Sequence, residues 1–216
     1  VVFLFAVQEL TSNLLVALGL LILALGLLYL FIRRQLGNST KLIDVSILKD
    51  RSLSWLFANY FSLQFVNIGL AFLIPLFAQN VLKADALASG MILLPGSVLS
   101  SAFAPMVGAW YDRVGIYFPT MVGNLMVVAG LILFASFSGS MTLTLMTISF
   151  LILRLGFSIV FGNLMTEGGK RVDPSKKDDQ NSLFNLSQQY AGSVATGLLA
   201  VIITLTQNFL QSSYES

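Results

Sequence analysis

Residues 108–115 read GAWYDRVG and place an Asp-Arg pair between two long apolar runs. Charge is scarce elsewhere, because only 10% of the 216 residues are charged, whereas a soluble domain averages about 25%. Gly108 and Gly115 suit a tight turn, since glycine permits close backbone approach and positive φ. Asp112 is expected to complement the positive end of the following helix, and Arg113 to pair with a carboxylate or a lipid phosphate. We predict a short turn between two membrane-spanning helices.

The apolar runs on both sides of this turn belong to a larger set. Each of six runs holds the roughly 20 apolar residues that cross a bilayer: 13–32, 53–77, 86–110, 117–137, 141–164 and 183–207. Buried core helices of a soluble protein are the weaker interpretation, because 56% of residues are hydrophobic and little polar surface remains to cover them. We predict an all-α integral membrane protein.

Lys and Arg occupy alternate connectors, which sets the orientation. They occur in residues 33–51, at Arg113 and in residues 170–177, whereas the other connectors hold only Lys83. Basic connectors stay on the cytoplasmic side, so GAWYDRVG is predicted to be cytoplasmic. Residues 166–182 (TEGGKRVDPSKKDDQNS) are predicted to form a solvated cytoplasmic linker.

Several classes of function lack the residues they need. The chain has neither cysteine nor histidine, which disfavours a metal site and a disulfide framework. It shows no nucleophile–base pair and no phosphate-cradling loop, so we expect no catalytic residues, no cofactor and no enzyme activity. The basic residues are scattered over several segments, which disfavours nucleic-acid binding.

The pattern G-x-x-x-D-R-x-G, formed by Gly108, Asp112, Arg113 and Gly115, resembles the loop signature of the major facilitator superfamily. The likeness extends to the C-terminal half of the bacterial fourteen-helix drug:proton antiporters. Three stretches carry it: SGMILLPGSVLSSAFAPMVGAWYDRVG (89–115), KLIDVSILKDRS (41–52) and SLFNLSQQYAGSVATGLLAVIIT (182–204).

The resemblance implies a domain organisation, with the chain as a fragment that forms the C-terminal part of a helical bundle. Its segments are the end of a preceding transmembrane helix (1–8), a linker transmembrane helix (13–34), a cytoplasmic connector (35–52), a C-terminal six-helix half with five spans present (53–207) and a tail (208–216). The implied partners are the lipid bilayer, the missing N-terminal half, a small amphipathic substrate and protons. The implied location is the bacterial cytoplasmic membrane, with several spans.

Polar residues inside the spans are the candidates for a transport cavity. Tyr60, Gln64 and Asn67 follow helical spacing on one stripe, and Asn185 and Gln189 follow it on the last run. Amides among aromatic rings can hold a flat amphipathic compound. They can equally hold helices together, and the sequence leaves both roles open.

Arg154 is the most informative single residue, because it lies midway along an apolar run. A charge at that depth costs about 2.5–3.5 kcal/mol on insertion scales. Its partner is expected to be backbone or amide oxygen in this chain or a carboxylate in the missing half. The alternatives are a coupling role and a charge that holds two helices, or the two halves, together.

Rows of small residues indicate close helix packing. One row combines Gly96, Ser100 and Ala104 at i+4 spacing with Pro95 and Pro105 as expected kinks, and the last span contains Gly192 and Gly197.

The function implied by the resemblance is proton-coupled export of amphipathic drugs or toxic compounds by alternating access. Two alternatives remain open. One is a non-transporting membrane fragment of a truncated gene, and the other is a facilitator-type transporter with another cargo, such as a solute taken up or a lipid.

Overall fold

The computed structural model of the chain describes residue 26 and residues 44–214. The expected helix end at 1–8, nearly all of the expected helix at 13–34 and the first part of the 35–52 connector lie outside these residues. So do the last two residues of the tail. Within the described part the α-helices are α1 (Arg51–Asn80), α2 (Ala86–Met91), α3 (Leu94–Val114), α4 (Tyr117–Ser136), α5 (Leu143–Lys170) and α6 (Lys177–Tyr214).

The described residues form an all-α fold without strands, as predicted. Three short 3-10 helices, Val45–Lys49, Ser138–Ser140 and Pro174–Lys176, lie in the connectors. Five stretches are helical, long and apolar enough to cross a bilayer: Arg51–Asn80, Ala86–Val114, Tyr117–Ser136, Leu143–Lys170 and Pro174–Thr204. They correspond to the last five of the six predicted runs.

The helix that was expected to kink at Pro95 is divided there into α2 and α3. Residues 92–93 separate the two pieces, and Pro95 lies in the first turn of α3. Proline lacks the N–H that would continue the hydrogen-bond ladder, and its ring clashes with the preceding turn. Pro105 lies inside α3, which continues through it.

Two helices extend furthest beyond the apolar runs that predicted them. α5 continues to Lys170, and α6 starts at Lys177, so the predicted linker at 166–182 contracts to residues 171–176. Asp178 and Asp179 lie in the first turn of α6, where carboxylates complement the helix dipole. Hydropathy marks where a helix leaves the membrane, but the helix itself continues into the polar segment.

α5 is the central helix, and it packs against α1, α3, α4 and α6. Its closest approach is to α4 and depends on Gly156. A Cβ added to Gly156 would lie 2.7 Å from Met126 Cβ and 2.9 Å from Val127 N. Such contacts are closer than packed atoms tolerate, so glycine is what permits this packing.

The turn that joins α3 to α4 is shorter than predicted. Gly115 has φ 77°, as the sequence predicted, and its N–H donates to the Tyr111 carbonyl at 2.8 Å. Asp112 lies in the last turn of α3, and α4 begins with Ile116 at its N-cap and no side-chain hydrogen bond there. Asp112 therefore forms no capping hydrogen bond with α4, because α3 extends past Asp112. Its predicted interaction with the positive end of α4 stays a prediction.

Candidate functional site

Arg154 lies near the middle of α5, where its guanidinium reaches towards α1. Its Nη1 donates to Asn67 Oδ1 at 2.8 Å, and its guanidinium carbon lies 4.8 Å from the ring centre of Phe157. Nε is buried without a hydrogen-bond partner among the described residues. An amide oxygen and an aromatic face are therefore the groups that this part of the chain supplies to offset the buried charge.

A half-open groove of about 360 Å³ lies between α3 and α5, and Arg154 forms part of its wall. We call it the Arg154 groove. Small and hydroxyl-bearing residues of α3 line one wall, and α5 lines the other with aromatic and polar residues. The lining is Ser100, Ser101, Ala104, Val107, Gly108, Arg154, Phe157, Ser158, Phe161, Gly162, Asn163 and Thr166.

The aromatic residues of this groove form a continuous stack. The rings of Phe157 and Phe161 are stacked with centres 5.0 Å apart and planes 19° apart. Phe161 in turn stacks on Tyr60 of α1 at 5.3 Å, and Tyr60 contacts Phe184 of α6 at 4.8 Å. Arg154 on Phe157 ends this stack, which thus links the groove to the junction of α1, α5 and α6.

The residues of the predicted α1 stripe occupy different environments. Tyr60 is 0% and Gln64 2% exposed, and the two side chains contact each other. The Tyr60 hydroxyl donates to Gln188 Oε1 on α6 at 3.0 Å. Tyr60 and Gln64 therefore lie within the helix packing, whereas Asn67 holds the Arg154 side chain. Their predicted role in a cavity stays a prediction.

On α6 the residue that hydrogen-bonds to α1 is Gln188, not the predicted Asn185 or Gln189. Asn185 and Gln189 are exposed and do not line the Arg154 groove. Gln188, which the sequence did not single out, is the partner of Tyr60. Ser187, Gln188 and Gln189 are consecutive polar residues. The sequence alone does not indicate which of them faces a neighbouring helix, because that depends on the rotation of α6.

The predicted packing residues lie at helix contacts, with one exception. A Cβ on Gly96 would lie 3.2 Å from Arg154 Cβ, and one on Gly192 would lie 2.8 Å from Ile68 Cδ1 of α1. The Ser100 carbonyl accepts a hydrogen bond from Ser158 Oγ at 3.0 Å. Gly197 is buried on α6. Ala104 is exposed and lines the Arg154 groove. The row of small residues therefore packs against α5 up to Ser100 but not at Ala104.

A charged cluster at the C-terminal ends of α3 and α5 was not predicted, because residues 166–182 were interpreted as a solvated linker. The Tyr111 hydroxyl donates to Glu167 Oε2 at 2.6 Å and accepts from Lys170 Nζ at 3.0 Å. Arg171 pairs with Glu167 at 2.8 Å. Tyr111, directly before Asp112 in the signature, thereby connects α3 to α5. The signal available in the sequence was a tyrosine beside a charged pair.

The glycine signature contributes one turn residue and one groove residue. Gly108 is helical, lines the Arg154 groove, and has nothing within 4 Å of an added Cβ. Asp112 and Arg113 are both exposed in the last turn of α3. The two glycines of the signature therefore have separate surroundings, although the sequence predicted one turn for both.

A larger cavity of about 760 Å³ lies between α1 and α4, and its walls are mainly apolar. Asn59, Asn124 and Thr120 are among its polar residues, and the Thr120 hydroxyl is buried without a hydrogen-bond partner among the described residues. Its charged lining residue, Arg171, is engaged by Glu167 beyond the end of α5. The Arg154 groove is the one of these two cavities that combines a charge at mid-helix depth with stacked rings.

Comparison with known proteins decides the family of this helical chain. The sequence profile of the Major Facilitator Superfamily matches residues 9–196. The chain belongs to the major facilitator superfamily. Members of this superfamily are transporters, so the membrane-spanning helices and the Arg154 groove belong to a multi-pass membrane protein of a transporter family.

Several curated relatives of this superfamily member are named for drug resistance, and others only as MFS-type transporters. The lincomycin resistance protein LmrB of Listeria monocytogenes is 27% identical over 186 residues, which are 86% of this chain and 39% of LmrB. LmrB of Bacillus subtilis is 25% identical over 201 residues, or 93% of this chain and 42% of that protein. The multidrug resistance protein B homolog of Mycobacterium tuberculosis is 25% identical over 169 residues, or 77% and 31%.

The chain thus spans about two-fifths of the length of its LmrB relatives.

Proposed function

We propose that this chain forms one wall of the substrate pathway in a proton-coupled exporter of amphipathic compounds that works by alternating access. In facilitator-type transporters, substrate sites lie near the bilayer midplane between two structural repeats. The chain is proposed to belong to the fourteen-helix drug:proton antiporters of the bacterial cytoplasmic membrane and to supply most of their C-terminal half. The relatives named for lincomycin and multidrug resistance support an exported drug as cargo.

The observation that carries this proposal is the Arg154 groove. A charged residue inside a span is costly and in membrane proteins faces a bundle interior or a watery cavity. Here it faces a groove with stacked rings on α5 and small residues on α3. Stacked rings provide an apolar surface for flat ring systems, and the hydroxyl and amide groups orient them.

Coupling to protons is proposed to use a carboxylate outside the described residues. Among the described residues, Asp and Glu occupy connectors or the first or last turn of a helix. Glu167 lies thirteen residues from Arg154 on α5, or about 20 Å at 1.5 Å per residue. A group that takes up protons along the pathway would therefore come from another part of the transporter.

The test is accumulation of Nile red in efflux-deficient cells that express the full-length transporter carrying this sequence, with and without a protonophore. Expression should lower accumulation only while the proton gradient stands. Ala104→Trp fills the Arg154 groove and should abolish this effect, because Ala104 lines it. Ala129→Trp is the matched control, since Ala129 is exposed on α4, and it should retain export.

Each other result favours an alternative. Accumulation that never changes, for Nile red and for lincomycin, would favour a non-transporting protein. Accumulation that rises on expression would favour uptake, and export that persists with the protonophore would exclude proton coupling.

A further inference from the structure

The chemistry of the Arg154 groove restricts the charge of the compounds that can pass along it. Its charged lining residue is a guanidinium, and the others are hydroxyl, amide, aromatic, aliphatic or glycine residues. The guanidinium keeps its positive charge at any physiological pH, because arginine is not deprotonated in proteins. The described part of the groove therefore carries a positive charge.

The aromatic ring nearest to Arg154 in the groove already carries a cation on one face. A lipophilic cation usually binds over the open face of an aromatic ring or beside a carboxylate. One face of Phe157 is covered by Arg154 at 4.8 Å, and its ring is stacked against Phe161. Phe161 is stacked further on Tyr60. A second cation bound over this ring stack would therefore lie close to the positive charge that Phe157 already carries.

The guanidinium retains donor capacity for a substrate. It carries five N–H donors, and Asn67 Oδ1 is the acceptor that the described residues supply. Arg154 is only partly buried and lines the groove. An acceptor or anionic group on a passing compound can therefore accept a hydrogen bond from it, and charge-assisted hydrogen bonds of this kind are strong.

Taken together with the proposed function, on which this inference rests, these contacts define a substrate class. We infer that the Arg154 groove selects uncharged or anionic aromatic compounds that carry a hydrogen-bond acceptor, and that Arg154 excludes lipophilic cations. In a site of low dielectric, like charges repel over several ångströms far more strongly than in water. Arg154 is thus a specificity-determining residue.

The first experiment measures binding, so that it does not depend on transport. Equilibrium dialysis of the purified full-length transporter would use three fluorescent probes: uncharged Nile red, anionic carboxyfluorescein and permanently cationic ethidium. Carboxyfluorescein or Nile red should bind at least about tenfold more tightly than ethidium. Arg154→Gln should reduce this preference about tenfold, and Arg154→Lys should keep it, because the charge is retained.

Equal or tighter binding of ethidium by the unmodified transporter overturns the inference, because it means that a carboxylate from elsewhere neutralises Arg154. An unchanged preference in a folded Arg154→Gln variant also overturns it, since the selection would then have another source. A monodisperse size-exclusion peak shows that the variant is folded.

The second experiment separates the substrate class from the proposed function. Export of Nile red and ethidium is compared in efflux-deficient cells, with the unmodified transporter and with Arg154→Gln at equal expression. A shift of about tenfold towards ethidium in the variant supports the inference. Selective binding without proton-dependent export of either probe contradicts the proposed function and leaves the charge selection of the site supported. Proton-dependent export with no charge preference supports the proposed function and contradicts the charge selection of the site.

Discussion

Arg154 of α5 and Asn67 of α1 are joined by a hydrogen bond of 2.8 Å from Nη1 to Oδ1 near the middle of both helices. This bond provides an acceptor for a guanidinium whose Nε is buried without one. It also ties the wall of the Arg154 groove to a neighbouring helix that does not line it. The position of the charge in the groove therefore depends on α1.

Asn67→Ala should destabilise the protein by about 1–3 kcal/mol, because it leaves a charged donor without its acceptor. The measurement is thermal unfolding of the full-length transporter in detergent. Asn124→Ala is the matched control, since Asn124 lines the larger cavity between α1 and α4 and makes no comparable hydrogen bond to a charge among the described residues. Equal shifts for both variants would mean that Arg154 does not depend on Asn67.

The different surroundings of Gly156 and Gly108 predict opposite effects for their replacement by alanine. Gly156→Ala places a Cβ within 2.7 Å of Met126 Cβ and should lower stability by about 1–3 kcal/mol through overpacking. Gly108→Ala meets nothing within 4 Å and should raise it by about 0.5–1 kcal/mol through helix propensity. Denaturation of both variants in the same detergent checks the signs. Stabilisation by Gly156→Ala would refute the close packing.

The charged cluster around Glu167 and Lys170 predicts a stabilising role for the Tyr111 hydroxyl. Tyr111→Phe removes the hydrogen bond to Glu167 and the acceptor for Lys170, and should lower stability by about 1 kcal/mol. Tyr190→Phe serves as the control, because Tyr190 is 54% exposed. Unfolding of the two variants at the same temperature would mean that the Tyr111 hydroxyl does not hold α3 to α5.

Exposed amides on α6 predict contact with water inside the membrane. Asn185 and Gln189 are exposed, and a lipid-facing position would leave their hydrogen bonds unmade. Cysteines introduced there should react with a membrane-impermeant maleimide, and this part of the transporter contributes no cysteine of its own. Leu198→Cys, exposed but apolar in its native form, should react slowly. Equal reaction rates at all three positions would mean that Asn185 and Gln189 face no more water than Leu198 does.

The sequence predicted the spans well because hydropathy over about 20 residues reports directly on solvent. It placed the ends poorly where helices continue into polar segments, as α5 does to Lys170 and α6 does from Lys177. The same error hid the cluster around Tyr111 and misplaced Asp112. A change from apolar to polar residues marks the membrane surface, but capping and contacts determine where a helix stops.

The candidate site was predicted in part. Arg154 was identified because a charge at mid-membrane depth is energetically costly without a partner. An amide oxygen was among the partners expected. Which amide it is, Asn67 rather than Gln64, depends on how α1 and α5 are rotated against each other. The stack of Phe157 and Phe161 on Tyr60 could not be predicted either, because stripes of aromatic residues occur wherever helices pack.

The central claim is that proton movement drives a compound along the Arg154 groove, and reconstituted transporter tests it most directly. Proteoliposomes with an acidic lumen and an enclosed pH-sensitive dye would receive an uncharged aromatic compound that the cellular assay shows to be exported. The account predicts that adding the compound releases protons from the lumen, that Ala104→Trp abolishes this release, and that Ala129→Trp retains it. Accumulation of the compound without proton release, or release unchanged in Ala104→Trp, would contradict the account.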